Sequence, residues 1–308
     1  MKTLVTGGAG FIGSWLSESL IAAGHEVFVL DDLSTGFLEN VPKRATFHLG
    51  DLAATETADW IEAQRFEVVY HQAAQLDVRK SVADPVFDAQ VNIVGSLRLL
   101  EACQKSGVKQ VIFASSGGTV YGEPEHMPTS EEHAIRPLSP YGIAKSAVEM
   151  YLDYYHKQYG LRYVSLRYAN VYGPRQNPHG EAGVIAIFSQ KLIRKAQPVV
   201  NGDGLQTRDY VFVNDVVEAN LKALNYPDSV CINIGTGIET NVNQLFDRLN
   251  ELAGTPFVRE HGPAKAGEQK RSSLSFEKAK EVLDWEPKVS LHTGLQETYE
   301  WFHQRYMP

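Results

Sequence analysis

The chain is short of cysteine, of long apolar runs and of positive charge, and each shortage closes off a class of protein. Two cysteines, Cys103 and Cys231, occur in 308 residues. They allow at most one bridge, and both sit in apolar surroundings, so buried reduced thiols are expected rather than a disulfide framework. No stretch approaches the ~18 uninterrupted apolar residues that span a bilayer. The opening MKTLVTGGAGFIG has one lysine and a short apolar stretch, but glycines break the run, and Ser14, Ser17 and Glu18 follow at once. That is not the build of a signal peptide, and the expectation is a soluble cytoplasmic protein. Lys and Arg number 29 against 37 Asp and Glu, a net charge of −8. A nucleic-acid binder should show a basic face, so neither nucleic acid nor membrane is expected as a partner. The ten histidines show no spacing such as H-x3-H with carboxylates, so no metal is expected. Internal repeats, low-complexity segments and long linkers are missing too.

What is present is an alternation of short β-rich runs and longer helical patterns. Strands are predicted over 3–6, 26–30, 46–49, 68–71, 110–114 and 163–166, with helices over 12–23, 55–64, 89–106 and 140–159 between them. Fully apolar strands joined by helices imply a parallel sheet covered on both faces. After residue 170 the regularity fades into loops rich in Gly, Pro, Asn and His. A helix over 183–195, a strand over 198–201, a helix over 214–224 and a strand over 230–234 come next. The segment 290–306 places Leu291, Leu295, Tyr299 and Phe302 at helical spacing. With 43 % hydrophobic residues the chain can fill one large α/β domain or two adjoining lobes. The division expected is a nucleotide-binding lobe over 1–169 plus about 210–236, with a smaller lobe over about 170–209 and 237–308.

The strand at 3–6 runs into GGAGFIG, and a helix follows. The stretch fits G-x-G-x-x-G at Gly8, Gly10 and Gly13, and equally G-x-x-G-x-x-G at Gly7, Gly10 and Gly13. Glycines let the backbone turn tightly, let a pyrophosphate approach and let the helix pack close to the strand. The helix N-terminus then offers free N–H groups to the phosphates. The next strand, EVFVL, ends in Asp31-Asp32, about 20 residues on, where a carboxylate can hold the adenosine ribose. With no arginine beside it, Asp31 favours NAD over NADP, because it would repel a 2′-phosphate. LGDL places Asp51 after the third strand, within reach of an adenine. HQAAQ, residues 71–75, ends the fourth strand with Gln72, small Ala73 and Ala74, and Gln75. These strand ends share one edge, where open α/β sheets bind ligands. The fold class is therefore α/β, a Rossmann-type doubly wound parallel sheet with a smaller C-terminal substrate-binding lobe.

SPYGIAKSAVEMY opens the helix after the fifth strand. Ser139 suits an N-cap and Pro140 the first helical position. Tyr141 and Lys145 are then one turn apart on one face, beside the strand end SSGGTVYG of residues 115–122.

Together TGGAGFIG, Asp31, HQAAQ, SSGGTVYGEP, YGIAK, LRYANVYGPRQNPHGEAG and GDGLQTRDYVFVNDV resemble the extended short-chain dehydrogenase/reductase family. Within it the chain is similar to nucleotide-sugar epimerases acting on UDP-glucose. The resemblance covers nearly the whole chain. It implies NAD-dependent epimerisation of a UDP-hexose at C4 through a 4-keto intermediate, the pair being UDP-glucose and UDP-galactose and extending to the N-acetylhexosamines. The alternatives are another epimerase or oxidoreductase of the family, or a non-catalytic NAD-binding protein. A free tyrosine, with a pKa of about 10, is a poor base at neutral pH. A desolvated Lys145 and a cationic nicotinamide can stabilise the phenolate of Tyr141. The resemblance implies that Lys145 also holds the nicotinamide ribose. It further implies cofactor contacts from Phe11, Ile12, Leu33, Ser34, Thr35, Gly36, Leu52, Asn92, Ser115, Tyr168 and Ala169.

The chain departs from the family at one place. Where the family usually has a Ser or Thr, four residues before the tyrosine of V-Y-G, this chain has Gly117. The hydroxyl that shares a hydrogen bond with the substrate is then expected from Ser116 first and Thr119 second. Gly117 and Gly118 also lack the acids that the sister dehydratases use to expel a hydroxyl. For the sugar nucleotide the resemblance implies Asn170 at the UDP phosphates or uracil. Gly183 and Val184 stand at a helix start facing the diphosphate, Val199, Val200 and Asn201 beside the uracil, and Arg208, Lys265 and Arg271 as positive charge. Ser272 is implied beside the sugar's C2 substituent. The helices over 89–106 and 140–159 are those through which family members form a homodimer as a four-helix bundle.

Overall fold

The computed structural model describes residues 1–178, 183–264 and 269–307. The first half alternates as the apolar runs dictate: β1 (Lys2–Thr6), α1 (Phe11–Ala22), β2 (Glu26–Asp31), β3 (Thr46–Leu49), α2 (Thr55–Gln64) and β4 (Val68–His71). Then come α3 (Val78–Ala83), α4 (Pro85–Ala89), a π-helical turn at Gln90–Val94, α5 (Gly95–Ser106), β5 (Gln110–Ser116), α6 (Gly117–Val120), α7 (Pro140–Tyr159) and β6 (Arg162–Tyr168). The second half holds β7 (Asn170–Tyr172), α8 (Val184–Ile193), β8 (Val199–Asn201), β9 (Thr207–Arg208), β10 (Tyr210–Phe212), α9 (Val213–Ala223) and β11 (Val230–Ile234). It closes with β12 (Thr240–Asn241), α10 (Val242–Ala253), β13 (Glu260–Gly262), α11 (Glu277–Leu283) and α12 (Leu291–Tyr306).

Seven parallel strands form one sheet in the order β11-β6-β5-β4-β1-β2-β3. Strand order reverses beside β1, which opens the crevice where ligands of such sheets lie. Every side chain of β4 and nearly every one of β5 is buried, as strands covered on both faces require. One face packs Leu4, Val69, Val111 and Phe113 with Leu99 and Leu100 of α5 and Val148 and Leu152 of α7. The other packs Val5, Val29, Ile112 and Val164 with α1 and α9, and this core runs on into the second lobe through Phe188, Phe246 and Trp285.

Local chemistry sets the element ends. Ser139 accepts from Gly142 N and caps α7, Pro140 takes its first turn, and Gly160, at φ +72°, ends it. Ser290 caps α12 in the same way. Two sequence expectations need correction. The helix expected over 89–106 starts earlier, at Pro85 with Asp84 capping it at Phe87 N, and runs through the π turn into α5. The helix expected over 183–195 is shorter, with Gly183 as its N-cap and Lys195 beyond its end at φ +54°. Both cysteines are free thiols. Among the described residues no helix is long and apolar enough to cross a membrane.

Candidate functional site

The glycine loop is shaped by what lies against it. Gly7 turns at φ +69°, and a Cβ there would stand 2.7 Å from Ala73 N, so only glycine lets β1 hand over to the loop beside the end of β4. Gly10 caps α1 with no side-chain bond, which leaves first-turn N–H groups open to an anion. Phe11 and Ile12 follow, half-buried against the core. At the end of β2, Asp31 accepts from Ala9 N at 3.0 Å and Leu33 N at 2.8 Å. Burial raises its pKa and those two bonds oppose the rise. Asp32 holds the backbone N and the hydroxyl of Ser34. The strip Leu33, Ser34, Thr35, Gly36 folds back onto the loop, with Gly36 against Ala9 and Phe37 N bonded to Ala9 O at 3.0 Å.

The remaining strand ends close on the same edge. Asp51 and Leu52 follow β3, the aspartate turning its own loop through Ala53 N. Ala73 N donates to Thr6 Oγ1, and Ala74 follows. Gln75 and Asn92 bond reciprocally at 2.9 Å, tying β4 to the π turn. Gln72 meets the hydroxyl of Tyr168 at 3.3 Å, and Ala169 N bonds to Ile234 O. Ser115 Oγ is buried without a hydrogen-bond partner. A bare helix N-terminus, a carboxylate after β2 and small residues after β4 fit a dinucleotide.

Tyr141 and Lys145 lie on α7, a turn apart, and α7 packs on the sheet at β5 and β6. Lys145 Nζ donates to Ala114 O at 2.8 Å and stands 4.8 Å over the Phe113 ring and 5.6 Å from the Tyr141 ring. Burial pulls its pKa down to about 8, against the opposing carboxylates of Asp88 and Glu149. Tyr141 is half-exposed, with its backbone N bonded to Ser81 Oγ.

The two glycines after β5 are bare for different reasons. A Cβ at Gly118 would find only Asn170 Oδ1 at 3.8 Å and Ser116 Oγ at 4.0 Å, so it borders open space on which that hydroxyl and that amide converge. Gly117 is buried, and a Cβ there would stand 2.9 Å from Leu274 Cδ2 and closer still to Cδ1. Ser116 caps α6 without spending its hydroxyl on the backbone, whereas Thr119 Oγ1 lies 3.4 Å from Ser116 O.

In the second lobe Gly183 and Val184 open α8. Val200 is buried, with Val199 and Asn201 half-buried beside it in β8. Arg208 bonds to Thr207 O at 2.7 Å, and Arg271 is drawn onto Glu239, which Thr207 Oγ1 also reaches. The two arginines thus share one polar cluster. Ser272 is buried. Lys265 lies outside the described residues. Among those residues no three His, Cys, Asp or Glu side chains are grouped to hold a metal ion.

Sequence reasoning missed four structural partners of the site. Asp88, buried on α4, accepts from Gln75 Nε2 and Asn92 Nδ2 at 2.9 Å. Glu149 pairs with Arg167, and Asp209 gathers the loops of the second lobe, with Leu274 among its donors. Glu149 was within reach, since it follows Lys145 by one more turn on α7; the others meet only through the fold.

A family model described as "NAD dependent epimerase/dehydratase family" matches residues 3–235. The chain is 45 % identical over 311 residues to a UDP-glucose 4-epimerase of Mycolicibacterium smegmatis, with 99 % of each covered. The structure matches that of a UDP-glucose 4-epimerase with UDP-glucose from Thermotoga maritima at a TM-score of 0.97 and 49 % identity, covering 99 % of both chains. It matches a Thermus thermophilus UDP-glucose 4-epimerase in complex with NAD at a TM-score of 0.94 and 44 % identity, covering 100 % of both.

Proposed function

The chain belongs to the NAD dependent epimerase/dehydratase family, and from that premise we propose that it is an isomerase that inverts C4 of UDP-glucose. The observation that carries the reading is the meeting of the Tyr141–Lys145 helix with the strand end where Ser116 Oγ and Asn170 Oδ1 converge. Inverting a carbinol carbon without a leaving group requires its transient oxidation to a ketone. When bound along Gly7–Gly13, Asp31 and Gln72–Gln75, NAD supplies the hydride acceptor and returns the hydride. Tyr141 takes the hydroxyl proton and gives it back. Lys145, charged and desolvated, holds the phenolate form of that tyrosine within reach of neutral pH. Ser116 shares the substrate's hydroxyl hydrogen. Asn170, the α8 start at Gly183 and Val184, and the β8 residues Val199, Val200 and Asn201 receive the UDP, with Arg208 and Arg271 beside it. No acid stands at Gly117 or Gly118 to expel a hydroxyl, which weighs against dehydration.

The reading is tested by giving purified protein UDP-glucose with no added nicotinamide. UDP-galactose should form, and denatured protein should release NAD. Net cofactor reduction without UDP-galactose would point to an oxidoreductase instead. Ser272 is small, so UDP-N-acetylglucosamine is expected to be accepted in the same assay; its rejection would show that another residue closes the pocket.

The hydroxyl assignment has its own check. Ser116→Ala should lower turnover by roughly 10²-fold, in the range for a positioned proton-transfer group, and Thr119→Val should cost less. If the threonine variant proves the more damaging, the two exchange roles.

The chain is further proposed to form a homodimer. Val86 and Phe87 of α4 and Ile143, Met150, Tyr151 and Tyr154 of α7 expose apolar surface side by side, a composition suited to an interface core. Light scattering at micromolar concentration should give twice the monomer mass.

A further inference from the structure

We propose that Gly117 and Leu274 are a mated pair that registers the sugar-binding segment against the catalytic strand, and that Asp209 is the positioning residue that holds the pair together. Residue 117 follows β5 directly. Leu274 stands 157 positions later in the same stretch as Ser272 and is 1 % exposed. The leucine's methyls reach into the space that a Cβ at 117 would take, so a side chain there must displace them, and Arg167 O, 3.2 Å from that Cβ position, bounds it from behind. The small cluster around the contact, Val120, Tyr121 and Leu274 with Ile135 and Ala169, draws on both halves of the chain.

The leucine is fixed by its backbone. Thr129 and Leu274 form an isolated parallel bridge, with Thr129 N on Ser273 O at 2.8 Å and Ser275 N on Thr129 O at 2.9 Å. Leu274 N donates to Asp209 Oδ2 at 3.1 Å. The same carboxylate, 1 % exposed, accepts from Thr236 N, Thr236 Oγ1 and Gly237 N between 2.6 and 3.0 Å. A buried carboxylate must be satisfied in this way, and losing one donor leaves a costly gap in its bonding. Asp209 therefore ties the turn after β11 and the leucine segment to the end of β9 at once.

The pair has a chemical consequence. A hydroxyl at 117 would require Leu274 to shift, because its methyls lie in that place. Ser116, turned to the open side of Gly118, is then the hydroxyl that the strand end can present. This rests on the epimerase reading for the identity of the ligand, but not for the packing.

The test is a double-mutant cycle of Gly117→Ser, Leu274→Ala and the two combined, read as kcat and KM for UDP-glucose, retained NAD and thermal midpoint. Overpacking at 117 should lower kcat/KM about 30-fold or more, and the leucine truncation should act mainly by raising KM, about tenfold. The combined variant should recover at least about tenfold over Gly117→Ser alone, since each change relieves the other. Asp209→Asn should raise KM without a matching fall in kcat. Parental kcat/KM in Gly117→Ser, or losses that multiply in the combined variant, would overturn the pairing. If Gly117→Ser does not fold, Gly117→Ala runs the same cycle with only the Cβ added. Should the parent not turn over UDP-glucose, the epimerase reading fails, while coupling between the thermal midpoints still decides the pair.

Discussion

Replacing Tyr141 by phenylalanine is expected to lower turnover of UDP-glucose by about 10³-fold or more, the upper part of the range for a positioned acid–base group. The ring, its place on α7 and the bond from its backbone N to Ser81 stay as they are. Lys145 donates to Ala114 O and stands over the Phe113 ring, contacts that the substitution leaves in place. The variant should therefore retain NAD while losing kcat and kcat/KM together, the signature of an interaction made in the transition state. Near-normal turnover would mean that another group takes the proton.

The second large effect is on stability. Glu149 and Arg167 form a two-point ion pair with Nε–Oε1 at 3.0 Å and Nη2–Oε2 at 2.8 Å, their side chains only 7 and 8 % exposed. Ser165 Oγ adds a bond to Glu149, and Tyr121 OH accepts from Arg167 at 2.8 Å before donating to Asn233 at 2.7 Å. Burial disfavours the guanidinium charge, yet the carboxylate outweighs it and holds the Arg167 pKa above its ordinary value. Glu149→Leu strands that charge in the interior and is expected to cost about 3–5 kcal/mol, the usual penalty for breaking a buried pair from one side. Denaturant unfolding at constant slope measures it. Adding Arg167→Met should return much of the loss, because a buried pair replaced by apolar groups is often near neutral. A loss below about 1 kcal/mol, the level of a surface pair, would show that the network is not as tightly closed as described.

The sheet and the strand ends along its ligand-side edge were legible because their signals are local. A glycine loop, an aspartate after the second strand and a capped Tyr–Lys helix each lie within a few residues of chain. Legibility stopped where elements became too short for a period to show. β7, β9, β10, β12 and β13 have two or three residues each, and no alternation can be read from so few. α10 is different: Asn241 and Gln244 form a capping box before Val242, Leu245, Phe246 and Leu249, the buried stripe of that helix. That start signal was present and not used. The π turn inside the expected 89–106 helix was not legible, because apolar spacing does not mark where such a turn re-phases the backbone. In the site, Gly117 reads from sequence as a lost hydroxyl. Its partner lies 157 positions away, and no local pattern marks the leucine that fills the space.

The end strand of the sheet carries a consequence for cutting the molecule. β11 pairs with β6 along five residues, Val230–Ile234 against 164–168, after the chain has left for the second lobe and come back. A fragment stopped after β6 would present that strand's N–H and C=O groups as an open edge, the arrangement that recruits foreign strands. Transplanting the segments outside the seven-stranded sheet onto another such sheet therefore requires two excisions, with residues 230–234 left behind in their host.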